Sequence, residues 1–193
     1  MLKIGLTGGI GSGKTIVAQV FNTIGIPVFC ADDEAKKLYA DSRAHEQITN
    51  IFGNEIYFNN ETINAQLLAS KIFSDTSLLN KVNNIIHPLV YQQFDQWFIL
   101  QKSPYIIFEA AILIESNFHK LMDKVIVVNA PQDLRITRII ARSKQSHDEI
   151  MQRIKNQMSD EERNKYADFI INNSENIPLL PQILEINDKL KHV

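Results

Sequence analysis

The sequence predicts an α/β fold, a parallel sheet of about five strands flanked by helices, and two observations carry that expectation. Five short apolar runs recur along the chain, at Leu2–Thr7, Val28–Cys30, 105–108, 125–128 and 169–171, and the last three have the unbroken apolar character of strands buried on both faces. Segments of helical periodicity separate them, so strand alternates with helix as a parallel sheet requires. At 193 residues, with 45% hydrophobic and 22% charged residues, the chain has the make-up of one soluble domain, with room for an inserted subdomain.

Leu2–Thr7 ends at a glycine cluster, and 14–24 follows with Val17, Val20, Phe21 and Ile24 at helical spacing. Gly25 is a candidate C-cap, Pro27 opens an extended run, and Val28-Phe29-Cys30 closes a βαβ unit with Asp32 just beyond its end. From about 41 to 101 there is no comparable strand run. Leu67, Leu68, Ile72 and Phe73, then Val82, Ile85, Ile86, Val90 and Phe94, recur at helical spacing and predict a helical insertion, which His87-Pro88 should interrupt. A net charge of −2 provides no global field for nucleic acid, so an anionic ligand must be held by local basic groups and backbone amides. Cys30 is the single cysteine and cannot form an internal disulfide, which points to a reducing, cytoplasmic setting; no secretion signal or membrane anchor is read.

Gly8-Gly9-Ile10-Gly11-Ser12-Gly13-Lys14-Thr15 satisfies G-x-x-x-x-G-K-[ST] between a predicted strand and a predicted helix, the context that the phosphate-loop mechanism needs. Gly8, Gly9, Gly11 and Gly13 let successive N–H groups, including those of Ser12 and Ile16, curl around a β-phosphate at the positive end of a helix. Lys14 is placed for the β- and γ-phosphoryl oxygens of ATP and the Thr15 hydroxyl for Mg²⁺. The fold is therefore expected to be of the P-loop NTPase type. After 125–128 stands Asn129-Ala130-Pro131-Gln132 in place of an Asn-Lys-x-Asp base-reading motif, so guanine specificity loses its main support.

Two carboxylates follow strands at the edge where such proteins do chemistry. Glu109 is either a Walker-B-like metal carboxylate or an acid favoured at a helix start. Asp32 is either a proton acceptor for an attacking hydroxyl or the N-cap of a helix beginning near Glu34. Arg135, Arg138 and Arg142 share a helix surface, which is either a triphosphate-binding cluster or a solvated face. Asp160-Glu161-Glu162-Arg163 reads as a solvated helix start, and a lone His87 as structural.

Taken in order, these pieces closely resemble the dephospho-coenzyme A kinases from Leu6 to about Asn173. The likeness rests on the L-T-G-G-I-G-S-G-K-T opening, Ala31-Asp32, Ile86-His87-Pro88, Ile112-Leu113-Ile114-Glu115, Arg138 with Arg142, Gln157, and Ala167-Asp168-x-Ile170-Ile171-x-Asn173. The resemblance implies ATP-dependent phosphorylation of the ribose 3′-hydroxyl of dephospho-coenzyme A, the last step of coenzyme A synthesis. It implies a nucleotide-binding core (about 1–40 and 102–193), a helical acceptor-binding insertion (about 41–101) and a lid (about 138–160). By the same likeness Asp32 is the general base, Lys14 and Thr15 serve phosphate and metal, and Glu109 joins Thr15 at Mg²⁺. Arg138 and Arg142 stabilise charge on the transferring group. Asn173 is an ATP-site residue, and His87 and Gln157 lie on the acceptor side. Oligomeric state is not read from the sequence, with a monomer slightly favoured.

Four positions depart from the family pattern. Cys30 and Glu109 replace aspartates, Ala111 replaces a proline, and Glu61-Thr62-Ile63-Asn64-Ala65 lacks the family's arginine, leaving Lys71 and Lys81 as basic candidates for its role. The rival readings are a nucleoside or nucleotide monophosphate kinase and a nucleotide-binding regulator without an acceptor. His87-Pro88 and the extended loop match favour the coenzyme reading over the first, and Asp32 with the lid arginines over the second.

Overall fold

The computed structural model of the chain describes residues 1–59, 62–73, 75–143 and 147–192; Glu61 and residues 144–146 of the expected lid lie outside them. In chain order, β1 (Leu2–Thr7), α1 (Lys14–Thr23) and β2 (Val28–Cys30) come first, followed by α2 (Ala31–Leu38), α3 (Ser42–Phe52), β3 (Tyr57–Phe58) and β4 (Thr62–Ile63). Then come α4 (Ala65–Phe73), α5 (Thr76–Phe98), β5 (Tyr105–Glu109), β6 (Lys124–Asn129) and α6 (Gln132–Arg142). The chain closes with α7 (His147–Lys155), α8 (Asp160–Asn164), β7 (Phe169–Asn172) and α9 (Leu179–Lys191). Two compact units result, one from Met1–Cys30 with Gln101–Val193 and the other from Ala31–Leu100.

The first unit is a five-stranded sheet in the order β2-β5-β1-β6-β7, with parallel neighbours throughout. Strand alternation sends Ile4 and Leu6 of β1, Tyr105 and Ile107 of β5, Ile126 and Val128 of β6 and Ile171 of β7 into one core. Val17, Ala18 and Phe21 of α1 and Ile183, Ile186 and Leu190 of α9 belong to the same cluster. The alternate residues are buried too: Phe108 stacks on Phe29 and meets Phe118, with ring centroids 5.5 and 5.3 Å apart. Burial of both faces is why these strands read as unbroken apolar runs. Gly25 ends α1 with φ +88°; its N–H donates to Asn22 O and that of Ile26 to Phe21 O, the paired bonds of a Schellman cap. Placing β1 in the middle makes its C-terminal end, and the glycine loop that follows it, the centre of the sheet's carboxyl edge, where open α/β sheets bind ligands.

The second unit is built around α5, whose Val82, Ile86, Val90 and Phe94 are buried at a spacing of four. Against it lie α2, α3 and α4, and Leu38, Ala44, Ile48, Phe52 and Leu68 are buried with it. Asp41 caps α3 by accepting from Arg43 N, and Asp75 caps α5 by accepting from Ser77 N and Leu78 N. Two sequence expectations change here. Helix α5 continues without interruption past His87-Pro88. A proline inside a helix costs about 3 kcal/mol, and four buried apolar side chains, each stabilising by roughly 1.5–3 kcal/mol, offset that. The insertion also holds a short antiparallel pair, β3 with β4, in strands of two residues that carry no readable alternation. The unit spans Ala31–Leu100, with α2 packed on α5.

Candidate active site

The phosphate loop joins β1 to α1. Gly11 and Gly13 have φ of +78° and +97°, which side-chain-bearing residues resist, and a Cβ on Gly13 would also strike Asn173 Nδ2. Ser12 N donates to Gly9 O at 3.1 Å, closing the turn, and α1 starts on Gly13 without a side-chain cap. Ile16 N donates to Gly13 O at 3.0 Å, so the Ser12 and Ile16 amides expected around a β-phosphate are both held by carbonyls of the loop, and the helix dipole stands behind the hollow. Lys14 is buried and folds back, its Nζ donating to Gly8 O at 2.9 Å. Thr15 and Ile16 are exposed in the first turn of α1.

Asn173, just past β7, sits against this loop. Its Nδ2 donates to Ser12 O at 2.7 Å and its Oδ1 accepts from Arg138 Nη2 at 3.1 Å. A chain of hydrogen bonds thus runs from the loop backbone to the Arg138 guanidinium. Two buried atoms here, Ser12 Oγ and Arg138 Nη1, make no hydrogen bond among the described residues. Buried polar atoms are rarely left so, and two donors left over around a glycine-lined hollow fit an anionic ligand. Glu109 is buried at the end of β5, in register with both Leu6 and Cys30.

The three arginines of α6 separate. Arg138 is half-buried at Asn173, Arg142 is exposed in the last turn, and Arg135 is buried and turned onto the loop. Arg135 Nε donates to Ile10 O at 2.9 Å, and its Nη1 pairs with Asp160 Oδ2 at 3.0 Å. Asp160 Oδ1 in turn accepts from Arg163 Nη1 at 2.7 Å, and Arg163 is completely buried. The expectation of a solvated helix start at 160–163 is therefore corrected for Arg163 and the half-buried Asp160, whereas Glu161 and Glu162 are exposed. Ser159 caps α8, with the serine-to-Glu162 pattern of a capping box, and that pattern was visible in the sequence; the inward turn of Arg163 was not. Gln157 also reaches the loop, its Oε1 accepting from Ile10 N at 2.8 Å.

Asp32, His87, Lys71 and Lys81 belong to the second unit. Helix α2 starts at Ala31 rather than near Glu34, so Asp32 occupies the first turn, not the capping position before it. Burial pushes the His87 imidazole pKa below its ordinary value. Lys71 Nζ lies 4.0 Å from Glu55 Oε1, and Lys81 is exposed on α5. No helix among the described residues is long and apolar enough to cross a membrane.

The sequence profile of the dephospho-CoA kinase family matches residues 2–178. A dephospho-CoA kinase of Bacteroides fragilis is 43% identical over 187 residues, covering 96% of this chain and 91% of the relative. Among solved structures, a Thermus thermophilus protein superposes with a TM-score of 0.87 at 28% identity, over 97% of this chain and 96% of its own. A dephospho-CoA kinase from Campylobacter jejuni superposes with a TM-score of 0.72 at 24% identity, over 98% and 97% of the two chains, and shares the fold.

Proposed function

The chain belongs to the dephospho-CoA kinase family, and on that premise we propose that it moves the γ-phosphoryl group of ATP onto the ribose 3′-hydroxyl of dephospho-coenzyme A, giving ADP and coenzyme A. The family is one of phosphotransferases, and its reaction closes coenzyme A biosynthesis. The observation that carries the reading is the phosphate loop at the end of the central strand, with the unpartnered Ser12 Oγ and Arg138 Nη1 beside it.

In this reading the amides of the loop and of the first turn of α1 hold the β-phosphate, and Lys14 leaves Gly8 O for the β- and γ-oxygens. Arg138, held by Asn173, offers its remaining N–H groups to the γ-phosphoryl, and Arg142 joins it from the lid. The transition state is loose, so positioning and charge stabilisation dominate. Asp32 orients the ribose hydroxyl and takes its proton as the new O–P bond forms and the bond to the ADP oxygen breaks. Thr15 and Glu109 are the residues that would hold Mg²⁺, which when bound neutralises charge on the phosphate oxygens. Their hydroxyl and carboxylate suit a metal that takes one or two protein oxygens alongside phosphate and water. His87 and Gln157 serve the acceptor side, Lys71 or Lys81 supplies the charge the family draws from its arginine, and the cytoplasm is the compartment.

The test is an acceptor panel. Purified protein with ATP and Mg²⁺ is offered dephospho-coenzyme A, adenosine and the nucleoside monophosphates, and ADP release is followed. Release with dephospho-coenzyme A alone is expected. Turnover on a nucleoside monophosphate with dephospho-coenzyme A inert would overturn the reading.

A further inference from the structure

Both backbone polar groups of Ile10, at the crest of the phosphate loop, are gripped from outside the loop: Gln157 accepts from its N–H at 2.8 Å and Arg135 donates to its carbonyl at 2.9 Å. The Arg135 guanidinium also lies against Gly9, where a Cβ would sit 2.6 Å from Cζ, and its backbone crowds Gly11, with a Cβ 2.7 Å from Arg135 O. Its own orientation is fixed by Asp160, whose carboxylate is shared with the wholly buried Arg163, and Arg163 Nη2 donates to Met158 O at 2.6 Å. We propose that Arg135 is a positioning residue for nucleotide binding: it holds the Gly9–Ile10–Gly11 crest so that the loop amides converge on the β-phosphate, with Asp160 as the group that aims it.

Three features separate this role from a bond to the nucleotide or a packing contact. Two nitrogens of the fork are committed, Nε to Ile10 and Nη1 to Asp160, and the adjacent acid offsets the charge that a phosphate ligand would need. The groups held are backbone atoms of the loop itself. The anchors come from α6 and from the segment after α7, so the return of the expected lid is tied to the loop through the same residue. Lysine keeps the charge but has one compact donor head in place of a fork, and cannot serve Ile10 and Asp160 in the same geometry.

The inference rests on the reading that the loop holds the β-phosphate, and its test is independent of the acceptor. ADP and ATP share that phosphate and differ in the γ-phosphate. Binding of fluorescent ADP and ATP analogues to wild type, Arg135→Lys and the milder Asp160→Asn is measured well below each melting temperature. We expect both Kd values to rise by the same factor, about tenfold for Arg135→Lys and less for Asp160→Asn, which retains a neutral acceptor. A rise for ATP alone would make Arg135 a γ-phosphate ligand and overturn the proposal. A lower melting temperature with both Kd values unchanged would make it a packing residue, and overturns it as well. Asp160→Asn decides if Arg135→Lys fails to fold. A wild-type protein that binds neither analogue would defeat the phosphate-loop reading and this inference together, whereas inactivity toward dephospho-coenzyme A alone would leave this inference standing.

Discussion

Asn173→Ala tests whether the chain of hydrogen bonds from Ser12 to Arg138 matters both for the fold and for turnover. Asn173 is 5% exposed, and truncation removes its bond to Ser12 O and the acceptor of Arg138 Nη2. A neutral bond contributes about 1 kcal/mol net and one to a charged group about 1.5–3 kcal/mol, with the lower end apt for the half-buried Arg138. The backbone bond from Asn173 N to Asn129 O survives, so the strand end itself is kept. The expected loss is therefore roughly 2–3 kcal/mol, or a fall in melting temperature of about 4–12 °C for a chain of this size. Because Arg138 loses the partner that aims it, kcat should also fall, by about ten- to a hundredfold. Asn173→Asp keeps an acceptor for Arg138 but sets a carboxylate against the Ser12 carbonyl, so it should fail to restore stability. The assay pairs scanning fluorimetry with steady-state turnover. A wild-type melting temperature and wild-type kcat in Asn173→Ala would refute the reasoning.

Lys14→Ala should abolish phosphoryl transfer and leave the fold intact, since the loop's shape rests on its glycines; circular dichroism and ADP release check both halves. Arg142→Ala should lower kcat by roughly a hundredfold or more if the lid brings it to the γ-phosphoryl, and a change in melting temperature alone would mark it as a solvated residue. Asp32→Asn keeps the side chain's shape and removes its proton-accepting charge, so dephospho-coenzyme A should still bind while kcat drops by about two to four orders of magnitude; full activity would remove the base assignment. His87 gives a pH dependence. Burial holds its folded pKa below the unfolded value of about 6.5, so its contribution is full above that pH and is lost as pH falls through the depressed folded value. The drop in melting temperature between pH 7.5 and 5.5 should accordingly be smaller in His87→Gln than in wild type.

Much of the first unit was legible because its physics is local. Strands buried on both faces must be apolar throughout, a left-handed helix end asks for Gly25, and a phosphate loop needs its glycines, Lys14 and Thr15 at fixed spacing. What escaped depended on tertiary packing. Helical spacing puts Arg135, Arg138 and Arg142 on one surface, but only the seating of α6 beside the loop decides that Arg135 turns inward and Arg142 outward. Asp160 and Arg163 look like surface charge until Arg163 is seen to be buried with Asp160 shared between two guanidinium groups. Pro88 predicts a break by its local cost, and α5 is continuous because its buried face outweighs that cost.

The acceptor atom that receives the phosphate decides the function. Phosphorus NMR of the product formed from ATP, Mg²⁺ and dephospho-coenzyme A measures that directly. A new monoester resonance coupled to the ribose 3′ proton, in one-to-one yield with ADP, is the predicted result, and a phosphate at any other position, or ADP formed without a phosphorylated acceptor, would contradict it.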